Sequence, residues 1–427
     1  MIAPARQAAF AALIAHEVRG SDLPAALSSA RAPLKDSRDQ ALLTELVTGV
    51  VRMRLAIDYQ LALRVSRPFE KLDADVRTGL RLGAFQLLYL DRLPPSAVVN
   101  DAVALTRKAA KTSASGLVNA VLRALARERD RLSWPDSPLS TALSVRHSHP
   151  EWLVRRWIER YGPAATEEWL TFNNQAPRLC LAVNRLKASR DDLAARLASE
   201  GVQTEATARS AHGLQVLAGA PLSTPSFREG WFTVQDESSQ LIAELGELGQ
   251  SPRVLDLCAS PGGKTMALAA RVGAGGLLVA SDVRPRRVRL LRETLARLEV
   301  PAAIVRVPTT GSLPFSDAVF DFVLVDAPCS GLGTVRRDPD IRWARTPDDL
   351  PRLAAAQLEL LRRASTVVAA GGTLVYATCS SEPDENDAVV DSFLADAAGF
   401  SLRQTHRTTP SADRLEAFYG AVIARNV

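Results

Sequence analysis

At 427 residues the chain is too long for one ordinary hydrophobic core, which points to two or three domains. A hydrophobic share of 47% against 23% charged excludes a disordered or collagen-like polymer, and no apolar run approaches the ~20 residues that cross a bilayer. The net charge of +5 is largely an arginine surplus, compatible with a polyanionic partner and equally with a solvated arginine-rich surface.

The chain start leads straight into an amphipathic pattern, without a charged region, apolar block and cleavage site. No signal peptide is read, and the cytoplasm is the expected setting. Apolar residues at three- and four-residue steps predict helices over Ala3–Glu17, Lys35–Arg64, Ala74–Tyr89, Ala97–Ala109 and Ser115–Glu128. Pro33, Pro68, Pro94-Pro95 and Thr112-Ser113 separate them. Residues 1–140 thus read as an all-α domain, with Arg107, Lys108, Lys111 and Arg123 on its polar faces. Ser133–Ser144 is rich in Pro and Ser and reads as a linker.

Residues 145–237 read as a small α+β region. Helices are expected over Pro150–Tyr161, Ala164–Phe172 and Arg190–Ala198, and strands over Leu179–Val183, Leu214–Leu217 and Trp231–Val234. Trp152, Trp157 and Trp169 fall on apolar helix faces and read as core. From 238 to 427 strands alternate with helices: strands at Arg253–Leu257, Leu277–Ser281, Ala303–Val307, Phe320–Val325 and Gly372–Ala377, and helices at Thr265–Arg271, Pro285–Leu298, Leu353–Ala364 and Glu385–Leu394. This rhythm implies an α/β domain, a doubly wound, Rossmann-like parallel sheet whose ligands bind beyond the carboxyl ends of the strands.

Val254 to Thr265 is a strand, a small-residue turn and a helix start. Gly262 and Gly263 let the backbone approach a ligand, the helix start offers free N–H groups to an anion, and Lys264 adds a point charge. A nucleotide phosphate loop would need glycine six residues before the lysine, where Cys258 stands, and the dinucleotide pattern GxGxxG is absent. An S-adenosylmethionine loop remains, with the methionine carboxylate and amine at the turn. Asp282, after the next strand, is placed to bond both ribose hydroxyls. The alternative is a strand–helix turn that binds nothing.

Cys180, Cys258, Cys329 and Cys379 are far apart, which fits neither zinc spacing nor a disulfide framework, and no metal site is expected. His147 and His149 lack the companions a metal would need. Cys180 reads as strand packing. Cys329 and Cys379 differ, because each follows a predicted strand and so faces the ligand edge of the sheet. A thiol there suits a pyrimidine whose carbon 5 is a poor nucleophile. Thiolate addition to carbon 6 of cytosine makes an enamine of the ring, and an acid near ring nitrogen 3 stabilises it. Asp326, at the end of the strand before Cys329, is the candidate acid. A free thiol has a pKa of about 8.5, so nearby positive charge or a helix start should activate it.

LDLCASPGGKT, DAPCSGLG, RRDPDIRW and ATCSSEPDEN resemble the motifs of the Nop/Sun-type RNA cytosine-5 methyltransferases. RDQALLTELVTGVVR (38–52), LRLGAFQLLYLDRLP (80–94) and GLVNAVLR (116–123) resemble the NusB-like domain fused to the enzyme in the RsmB (Sun/Fmu) branch of that family. WFTVQDESSQ (231–240) resembles its entry into the catalytic domain. The resemblance spans nearly the whole chain. It implies a NusB-like RNA-binding domain over 1–140, an RNA-contacting region over 145–237 and a class I methyltransferase domain over 238–427. Cys379 would be the nucleophile, and Cys329 would help release the product. Cys258, Ala259, Ser260, Pro261, Gly262, Gly263, Lys264, Asp282, Arg287 and Asp326 would line the S-adenosylmethionine site. The implied substrate is a cytosine of small-subunit ribosomal RNA. Apart from the resemblance, a monomer without metal or membrane is expected.

Three positions depart from the family pattern. Val307-Pro308-Thr309-Thr310 lacks the acidic residue near the adenine, Ala182-Val183-Asn184 lacks the arginine of an Arg-x-Asn element, and Glu416-Ala417-Phe418 replaces Asp-Gly-Phe. Two other readings stay open: an RNA-binding protein with a degenerate methyltransferase domain, and the same chemistry on transfer RNA or DNA. In any nucleic acid the target base must leave its stack to reach Cys379.

Overall fold

The computed structural model describes residues 2–91, 93–109 and 111–427. These fall into two compact units, Met1–Gln175 with Asp338–Ala344, and Ala176–Arg337 with Arg345–Val427.

The first unit is helical: α1 Pro4–Glu17, α2 Leu23–Arg31, α3 Ser37–Arg52, α4 Arg54–Ala62, α5 Ala74–Tyr89, α6 Pro95–Lys108, α7 Ser115–Glu128, α8 Leu139–His147 and α9 Glu151–Asn174. Proline opens α1 and α6, where a missing N–H costs nothing, and the Asp22 and Asp36 carboxylates cap α2 and α3. Leu13, Leu43, Val47, Leu80, Val98 and Leu122 meet in its core. The helix expected over Lys35–Arg64 is in fact two, because the backbone leaves helical geometry at Met53 (φ −99°, ψ 16°). The Pro/Ser-rich linker is also corrected: its second half starts α8, which buries Ala142, Leu143 and Val145. Gly162 interrupts α9 with φ 78° and ψ 166°, so the two predicted helices stand as its two limbs. Trp157 and Trp169 are buried there and stack at 5.0 Å.

The chain re-enters this unit at Asp338–Ala344, which carries the short helix α15 Ile341–Ala344 (numbered after α10–α14 below). Arg342 is fully buried and donates to Ser148 O at 3.1 Å, Asn174 Oδ1 at 3.0 Å and Asn173 O at 3.2 Å. The Trp343 indole N–H donates to Val51 O at 2.7 Å. The family-like motif Arg336–Trp343 is thus partly an anchor rather than a site.

The second unit holds two sheets. The smaller comprises β1 Cys180–Val183, β2 Gln203–Ala206, β3 Gly213–Ala218 and β4 Phe232–Val234, antiparallel in the order β2-β3-β1-β4. α10 Arg190–Ser199, opened by a reciprocal Ser189/Asp192 cap, buries Leu193 and Leu197 against Leu181, Leu214 and Phe232. α11 Pro225–Arg228 and α12 Glu237–Ala243 flank β4.

The larger sheet contains β5 Arg253–Asp256, β6 Leu277–Asp282, β7 Ala303–Arg306, β8 Phe320–Asp326, β9 Val368–Thr378, β10 Phe400–Thr408 and β11 Phe418–Arg425, in the order β10-β11-β9-β8-β5-β6-β7. Five strands are parallel, as expected, while β11 runs antiparallel to β9 and β10 antiparallel to β11. The expected all-parallel sheet is therefore mixed. α13 Gly263–Val272 and α14 Pro285–Leu298 pack through Leu268, Leu291 and Leu295 into one apolar cluster with β5, β8 and β9, while α16 Asp349–Thr366 and α17 Asp387–Asp396 pack through Leu361, Val390 and Phe393 into another. The short α18 Pro410–Asp413 sits in the β10–β11 turn. Crossovers of this kind put the loops after β5, β6, β8 and β9 at one edge. No helix among the described residues is long and apolar enough to cross a membrane.

Candidate active site

The loop after β5 is held from several sides. Ala259 N donates to Ser281 O at 2.8 Å, which ties it to β6. Asp256 is fully buried, accepts from Thr265 Oγ1 at 2.7 Å, and burial pushes its carboxyl up to about 7. The Ser260–Pro261 peptide is cis. Gly262 has φ +116°, and a Cβ there would stand 3.0 Å from Leu295 Cδ2 of α14, so glycine fits this turn on both counts. Cys258 is half-buried and its thiol is pushed up by burial, which suits packing rather than reaction. Asp282 is nearly buried at the end of β6 and accepts from Arg287 Nε at 3.0 Å, while Arg287 Nη2 donates to Ser260 O at 2.5 Å. Arg287 thereby locks the loop to the candidate ribose carboxylate.

Lys264 extends from α13 to Asp326 at the end of β8, with Nζ to Oδ2 at 2.7 Å. Burial opposes its charge, but Asp326 outweighs that penalty, and the Cys379 sulfur contributes in the same direction, so the ammonium pKa is raised. Gly262, Lys264, Asp326 and Cys379 are therefore brought to one place.

The Cys329 and Cys379 sulfurs lie 3.3 Å apart, and both residues are only partly buried. The Cys329 thiol is held well above its usual range by its hydrogen bond to Cys379, then by burial and the nearby Glu385 carboxylate. The two loops are paired directly, by Ala327 N donating to Ala377 O at 2.8 Å and by the Ser330 and Ser380 hydroxyls 3.1 Å apart, and Glu385 ties them further. It is fully buried and accepts from Ser330 N at 2.8 Å, Ser330 Oγ at 2.5 Å, Ser380 Oγ at 2.5 Å and Gln357 Nε2 at 2.9 Å. Ser330 follows Cys329 and Ser380 follows Cys379, so one carboxylate fixes both loops. Asn386 adds a second clamp, accepting from Thr378 Oγ1 at 2.5 Å and donating to Ser380 O at 3.0 Å.

Gly333 closes the site from below. Its N–H donates to Cys379 O at 3.0 Å and its carbonyl accepts from Ala417 N at 3.1 Å. A Cβ at this position would stand 2.0 Å from Ala417 O and 2.7 Å from Cys379 O, both backbone atoms that cannot rotate away. Gly333→Ala should therefore cost about 1–3 kcal/mol of stability and displace the Cys379 loop. A thermal melt and a methyl-transfer assay on the purified variant check both; unchanged activity would show that the contact does not position Cys379.

Composition and spacing did not single out Asp256, Ser330, Gln357, Ser380, Glu385, Asn386 or Gly333. The available signal was the polar run Ser380–Asn386, too rich in carboxylates for an idle turn. At two of the elements that depart from the family pattern the structure shows local contacts. Asn184 is fully buried and spends its amide on Gly230 O (2.9 Å) and Leu298 O (2.7 Å), so it braces the small sheet. Glu416 is fully buried, accepts from Arg336 Nε at 2.9 Å, and burial pushes it up to about 7. After β7 no carboxylate appears; the Pro308 and Thr309 carbonyls instead accept from Arg363, each at 2.8 Å.

Comparison with known proteins places these features in context. A family model described as 16S rRNA methyltransferase RsmB/F matches residues 245–420, the NusB family model matches 3–127, and a ferredoxin-like domain model of RsmF/B-like methyltransferases matches 149–223. Ribosomal RNA small subunit methyltransferase B of Pseudomonas putida is 38% identical over 381 residues, 89% of this chain and 85% of that protein. The probable ribosomal RNA small subunit methyltransferase B of Bacillus subtilis is 35% identical over 371 residues, 85% of this chain and 81% of its own. The crystal structure of PH0851 superposes with a TM-score of 0.84 at 24% identity over 99% of both chains, a likeness of fold.

Proposed function

The chain belongs to the ribosomal RNA small subunit methyltransferase B family, and from that membership we propose that it methylates carbon 5 of one cytosine in 16S ribosomal RNA, with Cys379 as covalent nucleophile. The observation that carries this reading is the pair of sulfurs 3.3 Å apart beside the Lys264–Asp326 pair.

The cofactor of this family is S-adenosylmethionine, and the residues present fit it. Among the described residues, Asp256 Oδ1, Ser260 Oγ and Gln235 Oε1 are buried without a hydrogen-bond partner, and Gln235 lies beside Gly263 at the same turn. Buried polar atoms without partners are costly, so several around one loop point to a polar ligand. Cys258 to Lys264 would hold its methionine end, and Asp282, braced by Arg287, its ribose. When bound, it supplies an electrophilic methyl group.

The chain's own residues do the rest. The Cys379 thiolate adds to carbon 6: the S–C6 bond forms, the C5–C6 double bond opens and carbon 5 becomes nucleophilic. Asp326 holds a proton at ring nitrogen 3, and Lys264 fixes that carboxyl in place. Once carbon 5 is substituted, loss of its proton restores the double bond and expels the Cys379 sulfur, with Cys329 beside it to assist. The protein acts in the cytoplasm, where its ribosomal substrate is made, as a monomer with NusB-like residues 1–140, the segment 145–237 and the catalytic residues 238–427.

Radiolabelled methyl transfer to transcribed 16S ribosomal RNA tests the reading, with bisulfite sequencing to locate the product. One cytosine should become protected. Label in transfer RNA but not in 16S RNA would overturn the substrate, and no label in any RNA would overturn the activity.

A further inference from the structure

α14 begins three residues after Asp282, so its amino end lies at the sheet edge that carries the candidate site. Its inner face buries Val288, Leu291, Leu295 and Leu298. Arg284, at its amino cap, and Arg286, Arg289 and Arg292, on the helix, are all exposed. Among the described residues, none of these four side chains makes a hydrogen bond or ion pair. Arg287 is spent on Asp282, and Arg297 on the Phe227 and Phe232 carbonyls. Glu293 is the one acid between Arg284 and Leu298.

Elsewhere in this unit surface guanidiniums commonly have a local acid: Arg178 with Glu205 at 2.9 Å, Arg196 with Glu229 at 2.6 Å, and Arg362 with Asp396. Four unmatched guanidiniums within nine residues repel one another and gain nothing from the fold. Like charges so concentrated are satisfied by an external polyanion, and beside a site for a base in RNA that polyanion is the strand itself. Arg306, exposed at the end of neighbouring β7, extends the positive edge.

We propose that the exposed face of α14, with Arg284, Arg286, Arg289 and Arg292, is a contact surface for the phosphodiester backbone of the substrate RNA. This rests on the RNA methyltransferase reading above. Contacts of this kind position the strand without reading its sequence.

The test uses the full chain, transcribed 16S ribosomal RNA and a series of KCl concentrations. R286Q/R289Q/R292Q is compared with R352Q/R362Q/R403Q, which removes equal charge from exposed positions elsewhere. The first variant should weaken RNA binding about a hundredfold or more near 0.1 M salt and flatten the plot of log affinity against log salt by about 2 to 3, since each phosphate contact contributes ~0.7 on a single strand and ~0.9 on a duplex. KM for RNA should rise, with kcat and S-adenosylmethionine affinity unchanged. The second variant should change binding far less. Equal effects of the two would mean that net charge alone matters, and an unchanged slope in the first would mean that α14 is solvated surface; either overturns the proposal. If wild type fails to bind RNA at all, the underlying reading falls and the surface with it, a result distinct from a variant that binds as well as wild type.

Discussion

Cys379→Ala should abolish methyl transfer, by about a thousandfold or more, while leaving fold and cofactor affinity nearly unchanged. The size of the loss follows from covalent catalysis: without the thiolate, carbon 5 stays a poor nucleophile and no other group lies in place to add to carbon 6. Cys329, whose sulfur lies 3.3 Å from that of Cys379, is the nearest substitute; the variant removes its hydrogen bond to Cys379, but burial and the Glu385 carboxylate still oppose its ionisation. The modest effect on stability follows from packing. The residue is only partly buried, and its structural link is a carbonyl accepting from Gly333 N, which alanine retains. The melting temperature should shift by no more than a surface substitution would cause. Calorimetry with S-adenosylmethionine should match wild type, which separates a lost nucleophile from a lost cofactor site. Full activity in this variant would end the assignment of the nucleophile.

The parts legible in the sequence are those where chemistry and periodicity coincide. The turn at Cys258–Lys264 reads as a ligand loop because two glycines and a lysine follow an apolar strand, and the structure binds that loop to Asp282 through Arg287. Cys329 and Cys379 read as edge residues because each follows an apolar strand. The helices of the first unit read well where their stripes are long, as in α5 and α7. α2 stayed hidden because it buries only Leu23 and Ala26, too little to show a period. The break at Met53 stayed hidden because apolar residues continue across it. The β10–β11 hairpin was missed because β10 is a polar edge strand, with Arg403, Gln404 and Thr405 exposed, and β11 is one continuous apolar run that alternation does not mark. Glu385 was illegible for a different reason: its role depends on four donors from three separate segments, and no local pattern announces such a convergence.

Cys329→Ala should trap the enzyme on its product, as an RNA–protein adduct that survives SDS, and should cut multiple turnover by about a hundredfold or more. The argument starts from what holds its proton. The hydrogen bond to the Cys379 sulfur is the leading cause of its raised pKa. Once that sulfur is bonded to carbon 6, its ability to hold the Cys329 proton is diminished, and Cys329 becomes easier to ionise at the step that needs a base. Its position next to the adduct, fixed through Ser330 and Glu385, then lets it take up the carbon-5 proton as the Cys379 sulfur leaves. Alanine keeps the first half of the reaction and removes the second. A gel-shifted band should therefore accumulate with one methyl per enzyme, and should be absent from the variant that also carries Cys379→Ala. Product release from Cys329→Ala at the wild-type rate would mean that another base, or water, completes the reaction. A band that persists without Cys379 would place the covalent bond elsewhere.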